Sequence, residues 1–275
     1  MIKIVAVLLT VFNRREKTLR CLQNLYAQQL PEGIVFEVYM VDDGCTDGTP
    51  QAVKEQFPSV QIIKGSGNLY WNRGMHLAWK TAAQTKAYDF YLWLNDDTFI
   101  APDTLTHVLE CSDETNNNAL ICGFLSSEKD ESCVTYGGRS KGVLLKPNGA
   151  LQETDTVNGN VVLVPKIIYD SVGMLDPVFP HAIGDFDYGL RVQKEGFGCY
   201  TTKKFIGTCE SNPKLPKWCY ATTPFKERIK ALYSPLGNAH PKYFFIYEKR
   251  NFGIVTAIKH YITIHLRVLF PKLWM

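Results

Sequence analysis

The stretch 92-LWLNDDT-98 ends a run of large apolar residues in two adjacent carboxylates, Asp96 and Asp97. Its first three residues are typical of a buried strand. Two neighbouring carboxylates disfavour joint ionisation unless a positive group lies between them. The stretch therefore predicts a core strand whose carboxyl end carries a site for a positively charged partner.

The same arrangement occurs upstream, where 36-FEVYMVDDG-44 also ends in two carboxylates, Asp42 and Asp43. Apolar periodicity around these stretches predicts strands over 2–12, 36–44, 60–64 and 89–97, alternating with helices over 15–29, 46–57 and 72–86. Such alternation indicates an α/β fold with a doubly wound, mostly parallel sheet. Ligands bind beyond the carboxyl ends of the strands in these sheets, which is where all four aspartates fall.

The pattern loosens after residue 100. Strands are predicted at 119–126 and 161–165, on either side of a glycine-rich hairpin, and short helices at 167–175 and 187–196. We expect one catalytic domain over 1–210, with a nucleotide-binding half at 1–100 and an acceptor half at 101–210. Residues 211–275 form a C-terminal helical extension.

Composition favours a cytoplasmic protein. The 275 residues are 45% hydrophobic and 21% charged, as in ordinary globular chains. Eight scattered cysteines without a CxxC pair indicate free thiols in a reducing compartment. The apolar N-terminus lacks a small-residue cleavage site and is interpreted as the first strand rather than a signal peptide. No apolar run reaches the roughly 18 residues of a membrane span.

Charge is distributed unevenly. Residues 225–275 hold nine Lys or Arg and two acids, a net charge of +7, which leaves −4 for residues 1–224. Within 243–275, aromatic and basic residues recur at helical spacing, as in helices that lie in a membrane interface. Peripheral contact with the inner face of the plasma membrane is one interpretation. Packing on the catalytic domain and formation of a homodimer are the open alternatives. No nucleic-acid-binding motif is present.

Clustered carboxylates at a strand end suit a hard cation. Mg²⁺ or Mn²⁺ is commonly held by one or two carboxylates together with substrate phosphates. We expect Asp97, with Asp96 acting through water, to hold such an ion against a diphosphate. The alternative is that these aspartates cap the helix predicted near Pro102.

Five motifs, in order, resemble those of family 2 glycosyltransferases of the GT-A fold. They are 41-VDDGCTDGT-49, 65-GSGNLYWNRGMHLAW-79, 94-LNDDT-98, 157-VNGNVVLVPKIIYDSVGMLD-176 and 184-GDFDYGLR-191. The second is similar to a segment of rhamnosyltransferase-like members. The resemblance covers roughly residues 3–200. It implies a Rossmann-like, mostly parallel sheet with helices on both faces, and inverting transfer of a sugar from a nucleotide diphosphate.

The resemblance also assigns catalytic roles. Asp185 takes the place of the family's catalytic base, which removes the proton of the acceptor hydroxyl. Asp187 supports it, paired with Arg191 four residues away on the same helical face. The alternative for that pair is a plain surface salt bridge.

Nucleotide contacts follow from the same resemblance. An aspartate can accept hydrogen bonds from a pyrimidine N3–H and from ribose hydroxyls. The expected nucleotide-binding residues are Thr10, Asp42, Asp43, Asn68, Arg73 and Asp96. Asp43 has the alternative of a turn-forming residue. Arg73, where the subfamily usually has glycine, either meets a phosphate or is a surface residue.

The remaining pocket residues implied by the resemblance are Trp71, Asn158, Gly159, His181 and Arg191. Trp71 has the alternative of a core aromatic, and His181 that of a structural histidine. Many GT-A enzymes add a histidine ligand downstream of the base, but here Cys209 occupies that region, and cysteine is a poor ligand for Mg²⁺.

The resemblance implies a donor such as dTDP-rhamnose or a UDP-hexose, and a hydroxyl acceptor on a bacterial surface polysaccharide or a lipid-linked saccharide. Two rivals are a sugar-1-phosphate nucleotidyltransferase and a catalytically inactive nucleotide-sugar-binding protein. The first should carry a glycine-rich loop after strand one, and 10-TVFNRREK-17 has no glycine. Intact Asp97 and Asp185 argue against the second. The P-loop signature is absent.

Overall fold

A computed structural model describes residues 2–211 and 215–274 of the chain. Ten strands form one mixed sheet, and two more form a separate hairpin. The strands are β1 (Lys3–Val11), β2 (Ile34–Asp42), β3 (Gln61–Lys64), β4 (Phe90–Leu94), β5 (Phe99–Ile100), β6 (Ala119–Ser126), β7 (Val134–Tyr136), β8 (Arg139–Ser140), β9 (Val143–Leu144), β10 (Gln152–Glu153), β11 (Val161–Pro165) and β12 (Gly198–Thr208).

The described residues also include nine α-helices and two short 3-10 turns, the turns at Lys217–Cys219 and Pro271–Trp274. The helices are α1 (Arg15–Tyr26), α2 (Thr49–Gln56), α3 (Tyr70–Thr85), α4 (Thr104–Glu114), α5 (Lys166–Val172), α6 (Gly184–Lys194), α7 (Phe225–Leu232), α8 (Pro241–Phe252) and α9 (Ile254–Leu269).

The strand order is β10-β12-β6-β11-β4-β1-β2-β3. Strand β1 pairs in parallel with both β2 and β4, and β2 pairs in parallel with β3. Strand β11 runs antiparallel between β4 and β6. The predicted α/β class with a mostly parallel central sheet is confirmed, and the carboxyl ends of β1, β2 and β4 share one edge.

Side-chain alternation in β1 divides the core into two layers. Val5, Val7 and Leu9 face the layer covered by α1, α2 and α4, while Ala6 and Leu8 face the layer covered by α3, α5 and α6. Because successive strand residues point to opposite faces, a continuously apolar strand needs helices on both sides. This is why β1 is apolar from Ile4 to Leu9 and β4 is apolar throughout.

Most observed boundaries differ from the predicted ones by one to three residues, and two of these differences shape the carboxyl edge of the sheet. Strand β4 stops at Leu94 because the Asn95 amide donates to the Asn160 carbonyl (2.9 Å) and residues 95–98 then form a turn. Helix α6 begins at Gly184, three residues earlier than predicted. The residue before it, Ile183, has a left-handed backbone (φ 77°), a conformation that a β-branched residue rarely adopts.

The C-terminal helices pack partly on one another and partly on residues 178–190. Trp218, Leu232, Ile264 and Val268 contribute to a small core of their own. Tyr247 of α8 packs with Phe179 and Ile183, beside the start of α6. The predicted boundary at residue 210 stays a prediction, and residues 212–214 next to it lie outside the described part of the chain. Within the described ranges, no helix combines the length and apolarity needed to cross a bilayer.

A buried carboxylate fastens α8 to α6. Asp187 is fully buried, and its Oδ2 accepts from Arg191 Nε (3.1 Å) and from Arg250 Nη1 (2.8 Å). Asn251 Nδ2 donates to its Oδ1 (3.3 Å), and Arg250 Nη2 also bonds Asp176 Oδ2 (2.7 Å). A buried charge is costly unless it is paired and hydrogen-bonded, so these contacts tie α8 to α6 and to the segment before it.

Replacing Arg250 with Met keeps most of the aliphatic stem but leaves the Asp187 carboxylate short of one charged donor. We expect the free energy of unfolding to fall by about 2 kcal/mol, less than for a fully isolated buried charge because Arg191 stays in place. Urea denaturation measures the change. The matched control is the exposed neighbour Lys249→Met, expected within about 0.5 kcal/mol of wild type. Equal losses in the two variants would contradict the role given to Arg250.

Candidate active site

A cavity of about 920 Å³ opens at the carboxyl edge of the parallel strands. Its wall is contributed by β1 and the loops after β1, β2, β3 and β4, by the segment before β11, by the start of α6 and by the linker between α7 and α8. The lining residues include Thr10, Arg14, Asp43, Asn68, Trp71, Asp96, Asp97, Asn158, Gly159, His181, Asp185, Leu236 and Asn238.

The positive group between the two carboxylates of the LNDDT turn is Arg14. Its Nη1 donates to Asp96 Oδ1 (3.1 Å) and to Asp97 Oδ2 (2.8 Å), and Thr18 Oγ1 donates to Asp96 Oδ2 (3.3 Å). Asp96 is 5% exposed, whereas the side chain of Asp97 is 22% exposed. Burial raises the pKa of Asp96 to about 6, outweighing the opposing effect of Arg14. Neither aspartate caps α4, which begins at Thr104.

Asp43 organises the loop between β3 and α3. Its Oδ1 accepts from the Gly67 amide (2.8 Å), and its Oδ2 accepts from the amides of Leu69 (2.8 Å) and Tyr70 (3.0 Å). Tyr70 itself has a left-handed backbone (φ 60°). The buried Asp43 carboxylate therefore holds this strained loop against the cavity, a role it can fill together with any nucleotide contact.

Trp71 forms part of the cavity wall, and hydrogen bonds fix the orientation of its indole ring. Its indole Nε1 donates to Asn95 Oδ1 (2.6 Å), and its backbone amide donates to His181 Nδ1 (3.3 Å). The ring lies so close to Gly159 that a Cβ there would be 2.4 Å from two ring carbons. Burial lowers the pKa of His181, with a smaller contribution from the charge of Arg14. Glycine at 159 is thus required by close approach of the indole.

Asp185 lies at the first turn of α6, half-buried in the cavity wall, and differs from the neighbouring carboxylates in its partners. Its Oδ2 accepts from the Gly159 amide (3.0 Å) and its Oδ1 from the Phe186 amide (2.9 Å). No Lys, Arg or His of the described residues forms a salt bridge with it. Burial raises its pKa to about 6, partly offset by these backbone hydrogen bonds. A carboxylate poised near neutral pH in a cavity is suited to accept a proton.

The donor set fits a hard divalent cation only in combination with a phosphate ligand. Asp97 presents a partly exposed carboxylate to the cavity, but Cys209 Sγ, 3.9 Å from its Oδ1, is a thiol whose pKa burial raises to about 12. Such a protonated thiol is a poor ligand for Mg²⁺ or Mn²⁺. Within residues 2–211 and 215–274, no three His, Cys, Asp or Glu side chains are grouped as a metal site. Oxygens of a diphosphate would have to complete the coordination.

Four residues expected at the site bond elsewhere. Asp42 Oδ1 accepts from the Cys45 amide (2.7 Å) in a turn. Arg73 donates to the Pro177 and Val178 carbonyls (2.8 and 3.4 Å), and Arg191 to those of Val172 and Met174 (3.0 and 2.8 Å). Asp187 is buried against α8. The contacts favour structural roles for all four, because each side chain already has hydrogen-bonding partners in the protein.

Two contributions to the cavity were missed by sequence reasoning. Arg14 lies in 10-TVFNRREK-17, three residues after the end of β1. Because ligands bind beyond the carboxyl ends of such strands, its position in the sequence could have indicated that it lines the site. Leu236 and Asn238 belong to the C-terminal extension, whose path back to the cavity has no signature in the local sequence.

Comparison with known proteins identifies the fold. The structure superposes on TarS from S. aureus with a TM-score of 0.59 and 15% identity, over 91% of this chain and 44% of TarS. Mannosyltransferase PcManGT from Pyrobaculum calidifontis, in complex with GDP-Man and Mn²⁺, gives 0.56 and 16%, over 94% and 73%. GalNAc-T7 with UDP, GalNAc and Mn²⁺ gives 0.61 and 10%, over 84% and 48%.

The chain spans less than half the length of TarS and of GalNAc-T7, and at these identities the likeness concerns the fold alone. A search of curated protein sequences gave no significant match. The sequence profile of glycosyl transferase family 2, however, matches residues 6–156, more than half of the chain. With this match and the GT-A architecture around the carboxylate edge, the chain belongs to glycosyl transferase family 2.

Proposed function

We propose that this protein is an inverting glycosyltransferase that moves a sugar from a nucleotide diphosphate to an acceptor hydroxyl, with Asp185 as the catalytic base. The observation that carries the proposal is the placement of Asp97 and Asp185 around one cavity of about 920 Å³. The Asp97 carboxylate is partly exposed to a cation and a diphosphate, and the Asp185 carboxylate is half-buried and has a raised pKa. Leaving-group stabilisation and proton removal are the two tasks that inverting transfer requires.

Each part of the cavity supports one step. Thr10, Asp43 and Asn68 lie near the ends of β1, β2 and β3, where the GT-A resemblance puts the nucleoside. Asp185 takes the proton of the acceptor hydroxyl as that oxygen attacks the anomeric carbon and the nucleotide diphosphate departs. A divalent ion held by Asp97 and the diphosphate would supply charge stabilisation for that leaving group.

The finer assignment concerns donor and acceptor. The NLYW segment favours a dTDP-linked deoxysugar such as dTDP-rhamnose, with a UDP-hexose as the second candidate. The acceptor we propose is a hydroxyl of a bacterial surface polysaccharide or of a lipid-linked saccharide. Among the structural neighbours, PcManGT was solved with GDP-Man and TarS with UDP, which supports a nucleotide-linked donor.

Substituting Asp97 with Asn removes the exposed carboxylate while preserving size. We expect UDP or dTDP to bind wild type at least about tenfold more tightly with Mn²⁺ than without it, and this gain to disappear in the variant, because the neutral amide binds a hard cation poorly. Isothermal titration calorimetry with each nucleotide measures it. Asp113→Asn, on the exposed surface of α4, is the control. A metal-independent affinity, or one that Asp97→Asn leaves intact, would count against the proposed donor site.

Asp185→Asn tests the base. We expect kcat to fall by about 10²–10⁴ while nucleotide affinity stays within twofold, since Asp185 acts on the acceptor side. In wild type, kcat/KM should decline as the pH drops below about 6, where the raised pKa leaves Asp185 protonated and unable to take a proton. Initial rates against pH, with candidate donors and acceptors, measure both. Asp170→Asn, on exposed α5, is the control. Wild-type rates in Asp185→Asn would exclude this residue as the base.

The extension supports a second proposal, peripheral contact with an anionic membrane. One face of α9 packs inward through Ala257, Ile264 and Val268, while the opposite face is exposed and apolar. That exposed face consists of Ile254, Val255, Ile258, Ile262, Leu266 and Leu269 and is called the α9 apolar face below. An unpaired apolar face of this length needs a partner.

Charge favours lipid over a second copy of the chain. After Glu227 the only acidic side chain is Glu248, which is buried and bonded to His260 Nδ1 (2.7 Å). Apart from Glu227, which is exposed on α7, the described residues from 225 to 274 therefore carry exposed basic side chains without exposed acids. Two copies meeting through the α9 apolar face would bring like charges together, whereas anionic headgroups would neutralise them.

The double variant Ile258→Glu/Leu266→Glu puts two negative charges into the α9 apolar face. We expect wild type to co-sediment with phosphatidylglycerol-containing vesicles and the variant to partition at least about tenfold less, because carboxylates are expelled from the interface. Val143→Glu, an exposed apolar site 68% accessible on the distant β9 strand, is the control. Wild type remaining in the supernatant, or sedimenting as a dimer that the double variant dissociates, would assign the face to another partner.

A further inference from the structure

Arg14 occupies an unusual position for a residue beside a cation site. It immediately precedes α1, after Asn13, whose backbone is left-handed (φ 51°). A single nitrogen of its guanidinium, Nη1, bonds both carboxylates of the LNDDT turn. The protein thus carries its own cation on Asp97, the residue proposed to hold the divalent ion.

Asp96 and Asp97 differ in burial and in partners, so the two ion pairs of Arg14 differ in how easily they break. Asp96 is buried and has a second donor in Thr18, so its position is fixed. Asp97 is more exposed, and Arg14 is its only charged partner in the described residues. The guanidinium can therefore leave Asp97 by a small rotation while it stays bonded to Asp96, which serves as a pivot.

The rest of the guanidinium is available to a ligand. Arginine has five N–H donors in a planar fork suited to phosphate oxygens. Within residues 2–211 and 215–274, the side-chain hydrogen bonds of Arg14 all run from Nη1 to the aspartate pair. Its side chain is 49% exposed and lines the cavity, so Nε and Nη2 have room for an anionic partner.

We propose that Arg14 couples diphosphate binding to metal binding: it neutralises Asp97 in the free protein and transfers to the donor's diphosphate when a divalent cation takes its place. The inference rests on the proposed nucleotide-sugar function and adds a positioning residue to it. In the free protein, Arg14 competes with a cation for Asp97 Oδ2. In the loaded protein, the same guanidinium adds positive charge beside the leaving group, where negative charge develops.

Two consequences follow from the exchange. A divalent cation alone should bind weakly, because it must displace Arg14 without giving the guanidinium a new anion. A nucleotide diphosphate provides that anion, so each ligand strengthens the other by the same factor, as linkage requires. Direct contact between cation and diphosphate adds to this factor, and removing Arg14 isolates the part that the side chain contributes.

Neutral variants at position 14 separate the contribution of Arg14 from that of direct contact between the cation and the diphosphate. In Arg14→Met and Arg14→Gln we expect Mn²⁺ alone to bind about tenfold more tightly than in wild type, because Asp97 has lost its internal competitor. In the same variants, the gain in UDP or dTDP affinity on adding Mn²⁺ should shrink by about tenfold. Arg14→Lys keeps the charge and should stay close to wild type for Mn²⁺ alone. Calorimetry, with paramagnetic resonance of free Mn²⁺, measures each constant, and thermal melting confirms folding.

Arg15→Met is the matched control, since Arg15 is the next residue, is exposed and does not line the cavity. It should match wild type in every titration. Unchanged or weaker Mn²⁺ binding in both neutral variants would overturn the competition, and equal behaviour of Arg14→Lys and Arg14→Met would show that charge is not its cause. Metal-dependent UDP or dTDP binding that the variants leave untouched would overturn the coupling alone. Absence of nucleotide binding in wild type would instead overturn the proposed function.

Discussion

Parallel pairing of β1 with β2 and β4 is the constraint on which the site depends. The register sets Val11 beside Asp42 and Leu8 beside Trp93, so three strands run out at one edge of the sheet. Their buried central residues are apolar because helices cover both faces, and the carboxylates follow where the strands end. The carboxylates of two separate motifs therefore converge on one cavity. Antiparallel β11, inserted next to β4, brings Asn158 and Gly159 to the same edge.

Five aspartates near this edge show how surroundings decide what one side chain does. Asp43 accepts hydrogen bonds from three backbone amides and stabilises the loop between β3 and α3. Asp187 accepts from Arg191, Arg250 and Asn251 and fastens α8 to α6. Asp96 is buried and retains Arg14. Asp97 is partly open and has Arg14 as its one charged partner in the described residues, and Asp185 is half-buried without a counter-ion. These two carboxylates line the cavity and keep acceptor capacity for a ligand, whereas Asp96 and Asp187 are committed to cationic partners in buried positions.

The C-terminal extension belongs to the site as much as to the surface. Its linker lines the cavity through Leu236 and Asn238, and Arg250 reaches Asp187 two residues after Asp185. A partner on the α9 apolar face would thus be connected through α8 to the helix that carries the proposed base. This arrangement would suit an acceptor presented at a lipid surface, since the C-terminal extension contributes both the basic face and two residues of the cavity wall.

The sequence by itself determined the α/β class, the alternating elements of the first hundred residues and the carboxylate edge. These follow from local periodicity and from the rule that parallel strands end together. Strands β6 and β11 were predicted to the residue for the same reason. Tertiary structure alone decided which carboxylates are paired: Arg14 is 82 residues from Asp96, and Arg250 is 63 residues from Asp187. Packing of the whole chain determines such partners. The position of a charged residue in the sequence does not indicate which opposite charge will lie next to it.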